Sequence, residues 1–142
     1  MKNVLSVQPV AGREGVREHL TELREALLRL HKALIESERV GYEKTFGRIA
    51  SSYQFLQLLT SDAWFAWLRP VSQLITAMDE MLEAKEPLTA AAAKALACRV
   101  KTLLVARMGD EGFSGHYDEA LQRDPDVVFA HAEVAGLIRA AK

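Results

Sequence analysis

Val16, Leu20, Leu23, Leu27, Leu30 and Leu34 step along the chain by four and three residues without a miss. That spacing returns every side chain to one face of a helix. A seam of this regularity admits few folds. The segment must be an amphipathic helix whose apolar stripe is covered by other helices, from the same chain or from a second copy. Glu14, Glu18, Glu22, Arg24 and Glu25 occupy its other faces. Nowhere does the chain sustain two-residue alternation, so no strand is predicted.

Past residue 35 the pattern changes. Residues 36–44 are mostly polar, and Tyr42, Phe46, Ile49, Tyr53 and Leu56 open a new stripe, rotated by roughly 80° from the first at about 100° per residue. A straight helix cannot bury both stripes against one neighbour, which predicts a bend or break at Gly41 or Gly47. Ser61 or Asp62 caps the next helix, whose face runs through Trp64, Trp67, Leu68, Val71, Leu74, Ile75, Met78 and Leu82. Pro70 lies inside that run and predicts a kink or restart at residues 68–70. The two tryptophans predict at least one buried indole. Thr89 caps a further segment from residue 90 to about 107, with Ala93, Leu96, Val100 and Leu103 inward. A glycine-spaced loop over 108–115 and a short helix over 116–122 follow. Asp124-Pro125-Asp126 then starts the last helix, on Val127, Val134 and Ile138.

The predicted fold is all-α: an up-and-down helical bundle of four main helices plus one or two short ones. Residues 1–12, punctuated by Pro9 and Gly12, read as an irregular N-terminal arm, and residues 13–142 as a single helical-bundle domain.

Composition closes off several functions. Apolar residues make up 49% of the 142, enough for a real core. The net charge of −1 gives no global field toward nucleic acid or an anionic membrane. No apolar run approaches the roughly 18–20 residues that span a bilayer. The single cysteine, Cys98, excludes an internal disulfide and fits a reducing cytoplasm. On its alanine-rich helix it reads as a small packed side chain. The residues three before His19, His31, His116 and His131 are Val16, Leu28, Phe113 and Val128, so the Glu-x-x-His spacing of di-iron bundles is missing. His31 and His131 border apolar stripes and read as half-buried structural histidines, whereas His19 and His116 read as solvated. The Gly109/Gly112/Gly115 spacing matches neither a phosphate-binding loop nor a dinucleotide fingerprint.

The run FLQLLTSDAWFAWLRPVSQLI over residues 55–75, with HKALIE over 31–36, resembles small uncharacterised bacterial all-helical proteins. That resemblance spans roughly the first two-thirds of the chain. It implies a helical bundle in a bacterial cytosol and carries no assigned activity or functional residues.

By elimination the predicted function is non-catalytic: a soluble helical-bundle protein acting through self-association, as a homodimer, or through contacts with another protein. The alternative is a bundle that holds a small apolar ligand or haem between helices near Trp64 and Trp67, and an enzyme comes third. The residues singled out as ligand or interface candidates are Tyr53, Trp64, Trp67 and Arg69. Arg69 follows a tryptophan and precedes a proline, a setting for cation–π stacking or a carboxylate clamp; the plainer reading is an arginine with a buried stem and a solvated head. No catalytic residue, metal ligand, cofactor, nucleic-acid partner or membrane partner is assigned.

Overall fold

The computed structural model describes the backbone of residues 2–107 and 111–140 and the side chains of residues 15–107 and 112–140. The elements are α1 (Lys2–Phe46), α2 (Ser52–Ser61), a 3-10 turn (Ala63–Leu68), α3 (Arg69–Glu83), α4 (Ala90–Val100), a π-helical segment (Lys101–Ala106), α5 (Glu111–Arg123) and α6 (Pro125–Ala140). Among the described residues there is no strand, and the fold is all-α, as predicted.

The spine is α1. Its seam residues Leu20, Leu23, Leu27, Leu30 and Leu34 are all buried, because α6, α3 and α4 pack along it. This chain's own helices therefore cover the seam. The α1 backbone is helical from Lys2, ahead of the start near residue 13 that Pro9 and Gly12 suggest. The side chains of the segment read as an arm lie outside those described.

Gly47 ends α1. Its φ of +97° lies in the left-handed region open to glycine, and its N–H donates to Glu43 O at 2.9 Å. Gly41 stays helical and serves a different purpose: a Cβ there would stand 3.3 Å from Cζ2 of Trp64, so its bare backbone lets the indole lie close. After the break, Ile49 N–H donates to a Glu43 carboxylate oxygen at 2.9 Å, and Ser51 caps α2 by accepting from Gln54 N–H at 3.1 Å. The stripe that the sequence joins from Tyr42 to Leu56 is thus divided between two helices. Ile49 is buried, while Tyr53 and Leu56 face outward.

Asp62 caps the 3-10 turn, its Oδ1 accepting from Trp64 N–H at 2.8 Å. The helix restarts at Arg69 with Pro70 in its first turn, where a missing N–H costs no hydrogen bond. Positions three apart eclipse in a 3-10 turn. Phe65 and Leu68 take the inward direction and are buried; the two tryptophans flank them, half-buried. The expectation of at least one buried indole is corrected on this point: both indoles are half-buried, and Phe65 is the anchor.

Thr89 caps α4, accepting from Ala92 N–H at 3.1 Å. In the π-helical continuation the wider i→i+5 turn moves the fully buried position from Leu103 to Leu104. Residues 108–110 lie outside those described, and α5 begins at Glu111 rather than at 116. Phe113, Tyr117 and Ala120 are buried at i, i+4 and i+7. Burying one large apolar side chain contributes about 1.5–3 kcal/mol, more than the roughly 1 kcal/mol that a helical glycine costs, so Gly112 and Gly115 are carried into the helix. Asp124 caps α6 through Asp126 N–H at 3.0 Å, with Pro125 at its first position.

Charged pairs bridge the helices at the rim: Arg24 with Asp79 and Arg29 with Glu133. Arg123 donates to Ser37 Oγ at 2.8 Å and to Glu38 Oε2 at 2.8 Å, satisfying two buried polar groups on α1. Ser37 and Glu38 belong to the polar stretch 36–44.

Candidate functional site

The four residues singled out from the sequence do not converge. Trp64 turns toward α1, donating from Nε1 to Glu38 O at 3.2 Å and meeting the rings of Tyr42 and Phe46 edge-on at 5.9 and 5.8 Å. Trp67 turns toward α5, 5.5 Å from the Phe113 ring and stacked on His116 at 5.2 Å. Each indole fastens a different joint, and the pair does not form one site. His116, read as solvated, is exposed but carries this stacking contact. Arg69 donates from Nη2 to Thr60 O at 3.2 Å, tying α3 back to α2. With His31, Ile35 and Leu59 it lines a cavity of ≈ 190 Å³. The arginines that lie over rings are others, Arg39 at 5.4 Å from Phe55 and Arg107 at 5.6 Å from Tyr117. Tyr53 sits on α2, its hydroxyl accepting from Gln57 Nε2 at 3.0 Å.

A polar cluster that the sequence reading missed lies between α5 and α6. Tyr117 Oη and His131 Nδ1 are 2.8 Å apart. Burial holds the Tyr117 phenol well above its ordinary pKa, with Arg107 opposing. Burial, and then the nearby Arg107 charge, hold His131 below its ordinary value. A protonated phenol therefore faces a neutral imidazole, and with the phenol as donor the ring proton sits on Nε2. Arg107 also pairs with Asp118. The geometry of the Tyr117–His131 pair is that of a satisfied, part-buried hydrogen bond. His31 is lowered by burial in the same way. His19 is half-buried rather than solvated, and its Nε2 is without a hydrogen-bond partner.

The surface of α2 is different. Tyr53, Phe55, Leu56, Leu58 and Leu59 make it apolar, yet no residue of this helix is fully buried. Tyr53 is 71% and Leu56 59% exposed, and Phe46, just before the break, is 64% exposed. Phe55 and Leu59 lean on the core from one side, with Phe55 meeting Phe65 edge-on at 5.8 Å.

Cys98 is exposed, not packed as its alanine neighbours suggested. It stands on the ridge between two grooves, one against α3 and one against α6. The signal that would have drawn attention there is charge: residues 87–109 hold Lys94, Arg99, Lys101 and Arg107 and no acid. Among the described residues no group of three or more His, Cys, Asp and Glu is placed to hold a metal ion. No described helix is long and apolar enough to cross a membrane. No family model, curated protein or solved structure matches this chain.

Proposed function

We propose that this is a non-catalytic helical-bundle protein that acts through protein contacts, with self-association as a homodimer through α2 as its first form. The observation that carries the reading is the uncovered apolar face of α2, with Tyr53 and Leu56 outward and Phe46 beyond the turn. Contiguous exposed apolar surface on a folded domain marks an interaction site more often than an accident of sequence. A two-fold interface through one helix would bring the same residues of both copies together. The leucine seam of α1 is occupied by the chain's own helices and so leaves this role to α2. A lone exposed thiol and the resemblance noted above support a reducing bacterial cytoplasm as the setting.

Analytical ultracentrifugation of the full chain tests this. A dimer at micromolar concentration that Tyr53→Glu with Leu56→Glu converts to a monomer, with helicity unchanged by circular dichroism, supports the reading. A wild-type monomer over the whole range, or a dimer indifferent to both substitutions, removes α2 as the self-association surface.

A further inference from the structure

Four arginines bridge elements to acids: Arg24 with Asp79, Arg29 with Glu133, Arg107 with Asp118 and Arg123 with Glu38. The cations around the groove between α4, its π continuation and α6 have no such partner. Lys94, Lys101 and Arg139 stand around it, and among the described residues none of the three pairs with a carboxylate. No acid lines it.

Its shape follows from the sequence. Lys94, Ala97, Cys98, Lys101 and Val105 recur at helical intervals along one face, and Ala135, Ile138 and Arg139 along the facing side of α6. The alanines make a low floor, Val105 and Ile138 apolar walls, and the long cations a rim. The recess of ≈ 350 Å³ lies at the small end of ligand sites, which span roughly 300–1,000 Å³. The π-helical segment crosses it, and such segments occur frequently at functional sites.

We propose that this groove binds a small amphiphilic anion, a single-chain carboxylate whose head is held by Lys101 and Arg139 and whose tail lies against Val105 and Ile138. Charge complementarity selects the class. Unmatched cations around an apolar trough repel a cationic amphiphile and give a neutral one no partner for its head. The small volume of the groove fits one headgroup with a short tail, not the long phosphate track of a nucleic acid. This inference stands on a different face from α2 and does not rest on the self-association reading.

Cys98 is a built-in reporter, since it is the only thiol in the chain and lines the groove. The test uses the full-length protein with decanoate, and decan-1-ol and decyltrimethylammonium as controls. Binding is followed by calorimetry and by the rate at which neutral iodoacetamide alkylates Cys98. Saturable decanoate binding that slows alkylation and weakens with salt is the expected result. Lys101→Gln and Arg139→Gln, both at exposed positions, are each expected to weaken binding about threefold to fivefold, and Val105→Asp to weaken it further, with circular dichroism unchanged. The proposal is overturned if decanoate does not bind, if decan-1-ol binds as well as decanoate, if alkylation of Cys98 is indifferent to bound decanoate, or if the three variants bind like the wild type.

Discussion

The seam of α1 and the outer face of α2 both carry large apolar side chains, yet these meet opposite fates. Leu20, Leu23, Leu27, Leu30 and Leu34 are sealed by α3, α4 and α6. Tyr53 and Leu56 stay in solvent on a ten-residue helix that buries no residue completely. What separates them is position relative to the chain break at Gly47. The seam lies on the long helix around which the rest of the chain folds. The short helix after the break reaches the core only partly, through Phe55, Leu58 and Leu59. Apolar spacing marks a surface that needs covering; which surface is covered depends on which helices can reach it.

That contrast is open to direct attack. The largest effect is expected at Leu27, fully buried in the seam. Leu27→Ala should lower stability by about 2–5 kcal/mol in urea unfolding, whereas Leu56→Ala should stay within about 0.5 kcal/mol. Equal losses at the two sites would show that α2 is packed as tightly as α1 and would end the comparison.

Tyr117→Phe comes next. It removes the partner of His131 Nδ1 between α5 and α6, and because that histidine is only half-buried the cost should fall near the lower end of the roughly 1–3 kcal/mol for a stranded buried polar group. No change in the denaturation midpoint would mean that water replaces the phenol and that this contact is not part of the sealed core.

Helix caps give a finer comparison, because Thr89 and Ser51 perform the same chemistry on different helices. Thr89→Ala should cost about 1 kcal/mol of global stability, since α4 is built into the core. Ser51→Ala should leave the global transition nearly in place and instead raise amide hydrogen exchange across α2. Identical global losses would tie α2 to the cooperative unit.

The smallest effect is expected from pH. His131 and His31 both sit below their ordinary value in the folded protein because burial disfavours their charged forms. As pH falls through the unfolded-state value of about 6.5, the unfolded chain takes up protons first, so stability falls. It is fully present above that value and declines toward the lower folded value. The slope of unfolding free energy against pH should flatten in His131→Gln. An unchanged slope in that variant would place the sensitivity elsewhere, with His31 the next histidine to substitute.

Much of the fold was legible in the sequence. The seam of α1, the caps Asp62, Thr89 and Asp124, and the restart at Pro70 each rest on groups within a few residues of one another. Less of the candidate site was legible. Trp64 and Trp67 lie three residues apart, but the 3-10 turn aims Phe65 inward, and the two indoles reach different partners on α1 and α5. Phe113 lies in a stretch whose glycines suggest a loop, and only the core that it enters makes that stretch helical. Cys98 reads as packed, and the basic rim around it goes unmarked, because an alanine-rich helix reads as close packing until its neighbours are in place.

The sequence by itself determined that the chain is helical, where several of its helices begin, and which faces are apolar, because hydrogen-bond caps, proline geometry and side-chain periodicity act over one or two turns. Only the tertiary structure decided that Gly47 and not Gly41 breaks the first helix, that the leucine seam is satisfied internally, and that α2 and the basic groove between α4 and α6 are left open. Those outcomes depend on contacts between residues far apart in the chain. The Trp64 ring resting on the Gly41 turn and the helices closing over Leu27 are set by packing in three dimensions, and no local pattern encodes them.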